Sequence, residues 1–403
     1  MLLELSLQEI KRIGVIGAGV MGHGITEVAA IAGYEVWMSD IADDILKRAL
    51  ERIEASLKKF YSKGKIKEEV SQVMARIHTT TELKKVVEDA DFIIEAVPEN
   101  LDLKKKIFAE ADKYAPKHAI LATNTSSLPI SEIAEATGRP EKIIGMHFFN
   151  PPPIMKLVEV IRGKETSDET LNITVELAKK FGKTPVIVTR DIPGFIVNRI
   201  LNRVLNAACW YVHRGKATIK EVDAALRFKL KFPMGAFELA DFSGIDIFYS
   251  IGKVICERGF IGKQCPLFEE KFNAGEYGVK TGKGFYEYPE AGKFVRPELT
   301  EEMAKKVNEL EILAPAVNEA AWLLREGIAT RDEIDIACEL GLNYPNGVFK
   351  LADEYGIDKI VETLNRLKEE TGWDEYEPDP LLNEMVKENK LGVKTGVGFY
   401  EYR

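Results

Sequence analysis

Cysteine and histidine are scarce in this chain of 403 residues, with four of the first and five of the second. Cys209, Cys256, Cys265 and Cys338 form no C-x-x-C pair and lack the histidine spacing of a metal site, so neither a disulfide framework nor a zinc centre is expected, and no other metal is implied. A reducing cytoplasm is the expected compartment. Also missing is any run near the ~18 uninterrupted apolar residues of a membrane span. The opening segment already carries Glu4 and Glu9, so neither export nor membrane insertion is expected. Positive charge is in deficit: 55 Lys plus Arg face 64 Asp plus Glu, a net of -9. That balance repels a phosphate backbone, which excludes nucleic acid as the main partner while leaving room for a local pocket for one small anion. What is present is a globular mixture, 45% hydrophobic and 30% charged, long enough for roughly two to four domains.

The first half alternates short β-rich runs with amphipathic, charge-rich stretches, the pattern of parallel strands joined by crossover helices. Strands are expected near 12–17, 34–40, 91–97, 119–124 and 143–149, with helices near 22–33, 43–62, 101–114 and 129–137. After His147 the run Asn150-Pro151-Pro152-Pro153 can continue neither a helix nor a central strand. Two further strands are expected at 156–161 and 185–189, with a helix at 168–181 before the second of them. From Asp191 onward the pattern reads as helical.

That second half repeats itself. Glu221, Asp223, Pro233, Gly235, Leu239-Ala240-Asp241 and Gly244-Ile245-Asp246 recur 112 positions later as Glu333, Asp335, Pro345, Gly347, Leu351-Ala352-Asp353 and Gly356-Ile357-Asp358. Both copies end on nearly one motif, GVKTGKGFYEY from Gly278 and GVKTGVGFYEY from Gly392. A tandem duplication of a helical domain follows. The expected fold is therefore α/β plus all-α: a Rossmann-type doubly wound sheet over 1–190, then helical copies over 191–295 and 296–403.

Gly17-Ala18-Gly19-Val20-Met21-Gly22 matches G-x-G-x-x-G between an expected strand and an expected helix. In that context Gly17 makes the tight turn, Gly19 admits a pyrophosphate against bare backbone, Gly22 lets helix pack on strand, and the helix N-terminus carrying Val20 and Met21 faces the diphosphate. Asp40 closes the next strand, where a carboxylate accepts hydrogen bonds from ribose hydroxyls and repels a 2′-phosphate. NAD is the expected cofactor.

A nicotinamide enzyme acting on an alcohol needs a base working near pH 7, and histidine suits that task. His23 falls in the nucleotide helix, His78 and His118 in polar connecting segments, and His213 near a helix end. Only His147 stands at the C-terminal end of an expected strand, the edge where doubly wound sheets hold ligands. Glu159, twelve residues on along the returning strand, is placed to orient it.

Four separate segments, Asn124-Thr125-Ser126-Ser127-Leu128, Met146-His147-Phe148-Phe149-Asn150-Pro151, Met155-Lys156-Leu157-Val158-Glu159-Val160 and Pro193-Gly194-Phe195-Ile196-Val197-Asn198-Arg199, together resemble the hallmark set of the L-3-hydroxyacyl-CoA dehydrogenases. The resemblance covers the chain apart from the extra helical copy. It implies NAD-dependent, reversible oxidation of an (S)-3-hydroxyacyl-CoA, 3-hydroxybutyryl-CoA foremost, to the 3-oxoacyl-CoA. It also implies His147 as general base, Glu159 as its orienting partner, Ser126 as donor to the substrate oxygen at C3, and Asn198 as holder of that oxygen or of the thioester carbonyl. Glu95, Asn100, Asn150 and Lys280 would contact the cofactor, and Ser56 and Lys63 would contact coenzyme A. Two rivals remain at this point: a dehydrogenase of a non-CoA hydroxy acid on the same scaffold, and a non-catalytic dinucleotide-binding protein.

In the second copy the position 112 after Asn198 is Leu310, so that copy is expected to be structural. Lys394 duplicates Lys280 and leaves open which of the two approaches the cofactor. The second copy is expected to pack on the first as an internal pseudo-dimer, as in fused multifunctional relatives, with a homodimer as the other arrangement.

Overall fold

A computed structural model describes residues 7–258 and 262–402 in two compact units, the first ending at Ile192 and the second beginning at Pro193. The first unit is built on one eight-stranded sheet in the order β3-β2-β1-β4-β5-β6-β7-β8: β1 (Arg12–Ile16), β2 (Glu35–Ser39), β3 (Ile77–Thr80), β4 (Phe92–Glu95), β5 (Ile120–Thr123), β6 (Ile143–Phe148), β7 (Leu157–Ile161) and β8 (Thr184–Val188). The central strands are buried on both faces, which is why Phe92-Ile93-Ile94 and Ile120-Leu121-Ala122 read as continuous apolar runs instead of alternating. Strand order reverses between β1 and β4, the switch point at which such sheets open a crevice.

β6 and β7 are antiparallel, because the Pro-rich connection is too short to carry a crossover helix. Their register sets His147 opposite Glu159. β3 is an addition to the sequence reading: His78 is not in a connecting segment but on this edge strand, opposite Trp37, with the two rings stacked at 4.9 Å. Its sequence Ile77-His78-Thr79-Thr80 has no apolar alternation, so only the pairing reveals it.

The second unit is helical and its two copies run element for element. Val197–His213 corresponds to Leu310–Arg325, Ile219–Phe228 to Arg331–Gly341, Ala236–Ser243 to Val348–Tyr355, Ile245–Glu257 to Ile357–Thr371, and Pro266–Asn273 to Pro380–Lys387. Thr218 with Glu221, and Thr330 with Glu333, close the same capping box in each. The repeated acidic residues are structural staples. Asp223 accepts from the Phe237 and Glu238 amides and the Tyr286 hydroxyl, and Asp335 likewise from Phe349, Lys350 and Tyr400. Asp241 and Asp353 gather the closing motifs in the same manner. Gly235 cannot carry a side chain, since its Cβ would stand 2.2 Å from Asp223 Cγ. Burial lifts the Asp223 carboxyl to about 7 and Asp335 to about 6, against the donors that surround them.

The cysteine reading needs correction. Cys209 and Cys265 form a disulfide that ties the first long helix of this unit to the start of Pro266–Asn273. Spacing alone cannot show such a pair, because tertiary packing brings together residues 56 apart. The cysteine-based argument for a reducing compartment falls with it. Among the described residues no helix is long and apolar enough to cross a membrane.

Candidate active site

The glycine loop comes first, since it fits a dinucleotide by construction. Gly17 has φ +101°, a left-handed conformation, and a Cβ there would meet the Ala96 carbonyl oxygen at 2.6 Å. Gly22 is tighter still, its Cβ falling 1.8 Å from Gly17 O, so strand, turn and helix can close only on glycine. Gly19 differs: a Cβ would meet nothing within 4 Å, which is the open approach a pyrophosphate needs above the N-terminus of Val20–Ile31. Val20 is exposed there and Met21 half-buried. Asp40 is half-buried after β2, accepting from the Ala18 amide on Oδ2 and from the Ile41 amide on Oδ1, both at 2.7 Å. The loop and the acidic residue are thus fixed to each other, and the residues fit NAD.

His147 and Glu159 are both buried, and Nδ1 of the imidazole lies 2.7 Å from Oε2 of the carboxylate. A carboxylate only accepts, so the neutral ring carries its proton on Nδ1 and directs proton exchange to Nε2. Asn124, directly after β5, accepts from the Phe148 amide at 2.8 Å and so ties the neighbouring strand end to the residue after His147.

Ser126 sits in a turn that closes around one carboxylate. Glu99 Oε1 accepts from Thr125 Oγ1 at 2.6 Å, from the Ser126 amide at 3.0 Å and from Ser126 Oγ at 3.2 Å, while Lys104 lies 3.5 Å from Oε2. Burial would raise this carboxyl, but the Lys104 charge and the hydrogen bonds from Thr125 and Ser126 outweigh it and hold the group below its ordinary range. Glu99 and Lys104 are the residues sequence reasoning missed; a glutamate five positions before a lysine at a helix start carries no signal until the turn folds onto it.

Glu95, which the resemblance assigns to the cofactor, is held by internal partners. It is fully buried at the end of β4, with Oε1 accepting from Lys104 Nζ and the Val97 amide and Oε2 from Thr123 Oγ1, each at 2.7 Å. Those partners tie β4 to β5 and to the helix Leu101–Tyr114. Asn100 is likewise occupied, capping Leu101–Tyr114 by accepting from the Leu103 amide at 2.9 Å.

Ser56 lies on the inner face of its helix and donates to Glu27 Oε1 at 2.6 Å. Both line a cavity of about 200 Å³ with Val20, His23, Asn150 and Pro152. Lys63, by contrast, is an exposed residue at the end of Asp43–Ser62. In the second unit Asn198 is the second residue of Val197–His213 and half-buried, and Lys280 is exposed and paired with Asp246. Lys394 makes the same pair with Asp358, so local contacts do not distinguish the two lysines.

Comparison with known proteins bears on this site. Residues 12–192 match the model of the 3-hydroxyacyl-CoA dehydrogenase NAD binding domain, and residues 194–288 and 310–402 each match that of the 3-hydroxyacyl-CoA dehydrogenase C-terminal domain. A probable 3-hydroxybutyryl-CoA dehydrogenase of Bacillus subtilis is 45% identical over 287 residues, covering 70% of this chain and 99% of that protein. The fatty acid oxidation complex subunit alpha of Idiomarina loihiensis is 37% identical over 94% of this chain and 55% of its own length. A crystal structure of 3-hydroxybutyryl-CoA dehydrogenase from Escherichia coli superposes with a TM-score of 0.85 at 28% identity, over 94% of this chain and 98% of that one.

Proposed function

The chain belongs to the 3-hydroxyacyl-CoA dehydrogenase family, NAD-dependent oxidoreductases, and from that premise we propose that it interconverts 3-hydroxybutyryl-CoA and acetoacetyl-CoA with His147 as the proton-transfer residue. The observation that carries this reading is the buried His147–Glu159 pair at the C-terminal end of β6. NAD, when bound, supplies the hydride acceptor at its nicotinamide ring. In the oxidation direction His147 Nε2 takes the proton from the C3 hydroxyl, and Glu159 stabilises the imidazolium that results. Ser126 donates to the C3 oxygen, and Asn198, from its place in the Pro193–Arg199 motif, holds that oxygen or the thioester carbonyl, so that developing charge meets fixed dipoles. Glu99 holds the Ser126 backbone through the amide hydrogen bond it accepts, and the single hydroxyl proton, which points to Glu99 at 3.2 Å without substrate, turns to the C3 oxygen when substrate is bound. Ser56 and Lys63 are assigned to coenzyme A, Lys63 as a point charge for a phosphate. Asn150 and Lys280 are assigned to the cofactor.

The test mixes purified protein with acetoacetyl-CoA and NADH and follows loss of NADH absorbance, repeated with NADPH and with free acetoacetate. Oxidation that requires both the thioester and NADH is expected. Turnover on free acetoacetate as fast as on the thioester would replace this reading with a non-CoA substrate. We further infer an internal pseudo-dimer in which the long helices Val197–His213 and Leu310–Arg325 pack together within one chain. Light scattering at the mass of a single chain is the expected result; an obligate dimer would overturn it.

A further inference from the structure

The residue after Asn198 turns away from solvent into the helical unit. Arg199 is 7% exposed, with Nε 2.7 Å from Glu319 Oε1, Nη1 3.2 Å from the Pro193 carbonyl oxygen, and its guanidinium 4.7 Å from the centre of the Trp322 ring. One turn on, Arg203 donates from Nε to Glu319 Oε2 at 3.0 Å and from Nη1 to Glu375 Oε2 at 3.0 Å. Glu319 thus receives one guanidinium on each oxygen. Burial alone would raise its carboxyl, but the attraction of Arg199 and Arg203 wins and keeps it below the ordinary range, hence ionised. Arg199 also closes the turn entering the Asn198 helix: Gly194 and Phe195 are both left-handed, at φ 77° and 51°, and the Arg199 amide donates to the Gly194 carbonyl oxygen at 3.2 Å, so the clamp on its guanidinium bears on the shape of that turn.

The duplication makes the pair one-sided. Arg199 and Arg203 correspond, 112 positions on, to Glu311 and Pro315, while Glu319 corresponds to Ala207 in the first copy. The cations therefore lie only on the copy that keeps Asn198, and their shared carboxylate only on the copy that has lost it.

We propose that Glu319, supplied by the second copy, is a positioning residue for dehydrogenation, fixing the Pro193–Arg199 turn and with it the direction of Asn198. The proposal rests on the reading that Asn198 touches the substrate. Glu319 makes no contact with substrate itself; it acts through a two-oxygen clamp on two guanidiniums whose planar forks fix direction as well as charge.

The experiment compares Glu319→Gln, Arg199→Lys, Asn198→Ala and the double variant Asn198→Ala/Glu319→Gln in acetoacetyl-CoA reduction, with Glu311→Gln as control. Glu311 is also a buried carboxylate of the second copy, paired with Lys216 and Arg366 instead of the Asn198 helix. Glu319→Gln and Arg199→Lys are each expected to lower kcat about tenfold, because small misplacement of a transition-state contact is costly. KM for NADH should stay within about twofold. Glu311→Gln, with a comparable fall in melting temperature, should keep kcat. In the Asn198→Ala background Glu319→Gln should cost nothing more, whereas mere destabilisation would multiply the two losses. Unchanged kcat in Arg199→Lys and in folded Glu319→Gln, beside a damaged Asn198→Ala, overturns the Glu319 proposal alone. Unchanged kcat in Asn198→Ala removes the Asn198 reading and this proposal with it. Should Glu319→Gln fail to fold, Arg199→Lys and its double variant with Asn198→Ala decide the matter by the same criteria.

Discussion

Glu27 carries the most quantitative expectation. It is 1% exposed on the helix Val20–Ile31, with Ser56 donating to it and Lys183 the charge opposing its burial. Burial pushes its carboxyl from an ordinary 4.5 to about 7, against that hydrogen bond and the Lys183 charge. The folded value lies above the unfolded one. The neutral form is therefore favoured by folding, the stabilisation is complete below about pH 4.5, and it is lost as pH rises through about 7. The gap, at roughly 1.4 kcal/mol per pH unit, amounts to about 3 kcal/mol. Glu27→Gln keeps an acceptor for Ser56 and removes the titration. Lys183, lowered to about 8 by burial, loses an attractive partner in the variant, so the net gain at pH 8 should be nearer about 2 kcal/mol. The assay is urea unfolding at about pH 5 and about pH 8, with Trp210, Trp322 and Trp373 replaced by Phe so that Trp37 reports on the first unit alone. The variant should gain little at the lower pH and clearly at the higher. Identical pH dependence in the two proteins would refute the account of Glu27 as a buried, late-titrating acid.

Three further outcomes follow from particular contacts. Glu159→Gln should lower kcat by about 10²-fold or more, in the range of general-base effects, because it removes the charge that holds imidazolium; a loss under threefold at neutral pH would contradict the assignment. Gly19→Ala should melt like the parent yet bind NADH more weakly, whereas Gly22→Ala should lower the melting temperature, since only the second meets backbone; equal melting losses would show the loop is read wrongly. Thiol titration of the denatured, unreduced chain should find two reactive cysteines, Cys256 and Cys338, out of four, and replacing Cys209 and Cys265 by Ser should cost about 4 kcal/mol for a closed loop of 56 residues; four reactive thiols would dismiss the bridge.

The chemistry was legible where it depends on local pattern. A glycine turn between strand and helix, an acidic residue at the end of β2, and a histidine and glutamate placed by two adjacent strands are all consequences of short-range periodicity and turn residues. The tandem duplication was legible because Asp223, Gly235, Asp241 and their counterparts recur at one spacing, each copy stitching its own motif with the same set of contacts. Reading failed where a residue's meaning comes from what folds onto it. Glu95, ending β4, and Glu99, in the loop after it, share Lys104 and the same side chain, and only packing tells them apart, one fully buried against Thr123, the other gathering the Ser126 turn. The edge strand at Ile77–Thr80, the Cys209–Cys265 bridge and the Arg199–Arg203–Glu319 cluster join residues far apart in sequence and of no shared pattern. Sequence by itself thus determined the fold class and the cofactor, because these follow from local periodicity and turn geometry. Tertiary structure alone decided which carboxylates are sealed inside and which pair with a neighbouring turn or guanidinium, because burial and charge pairing are properties of packing.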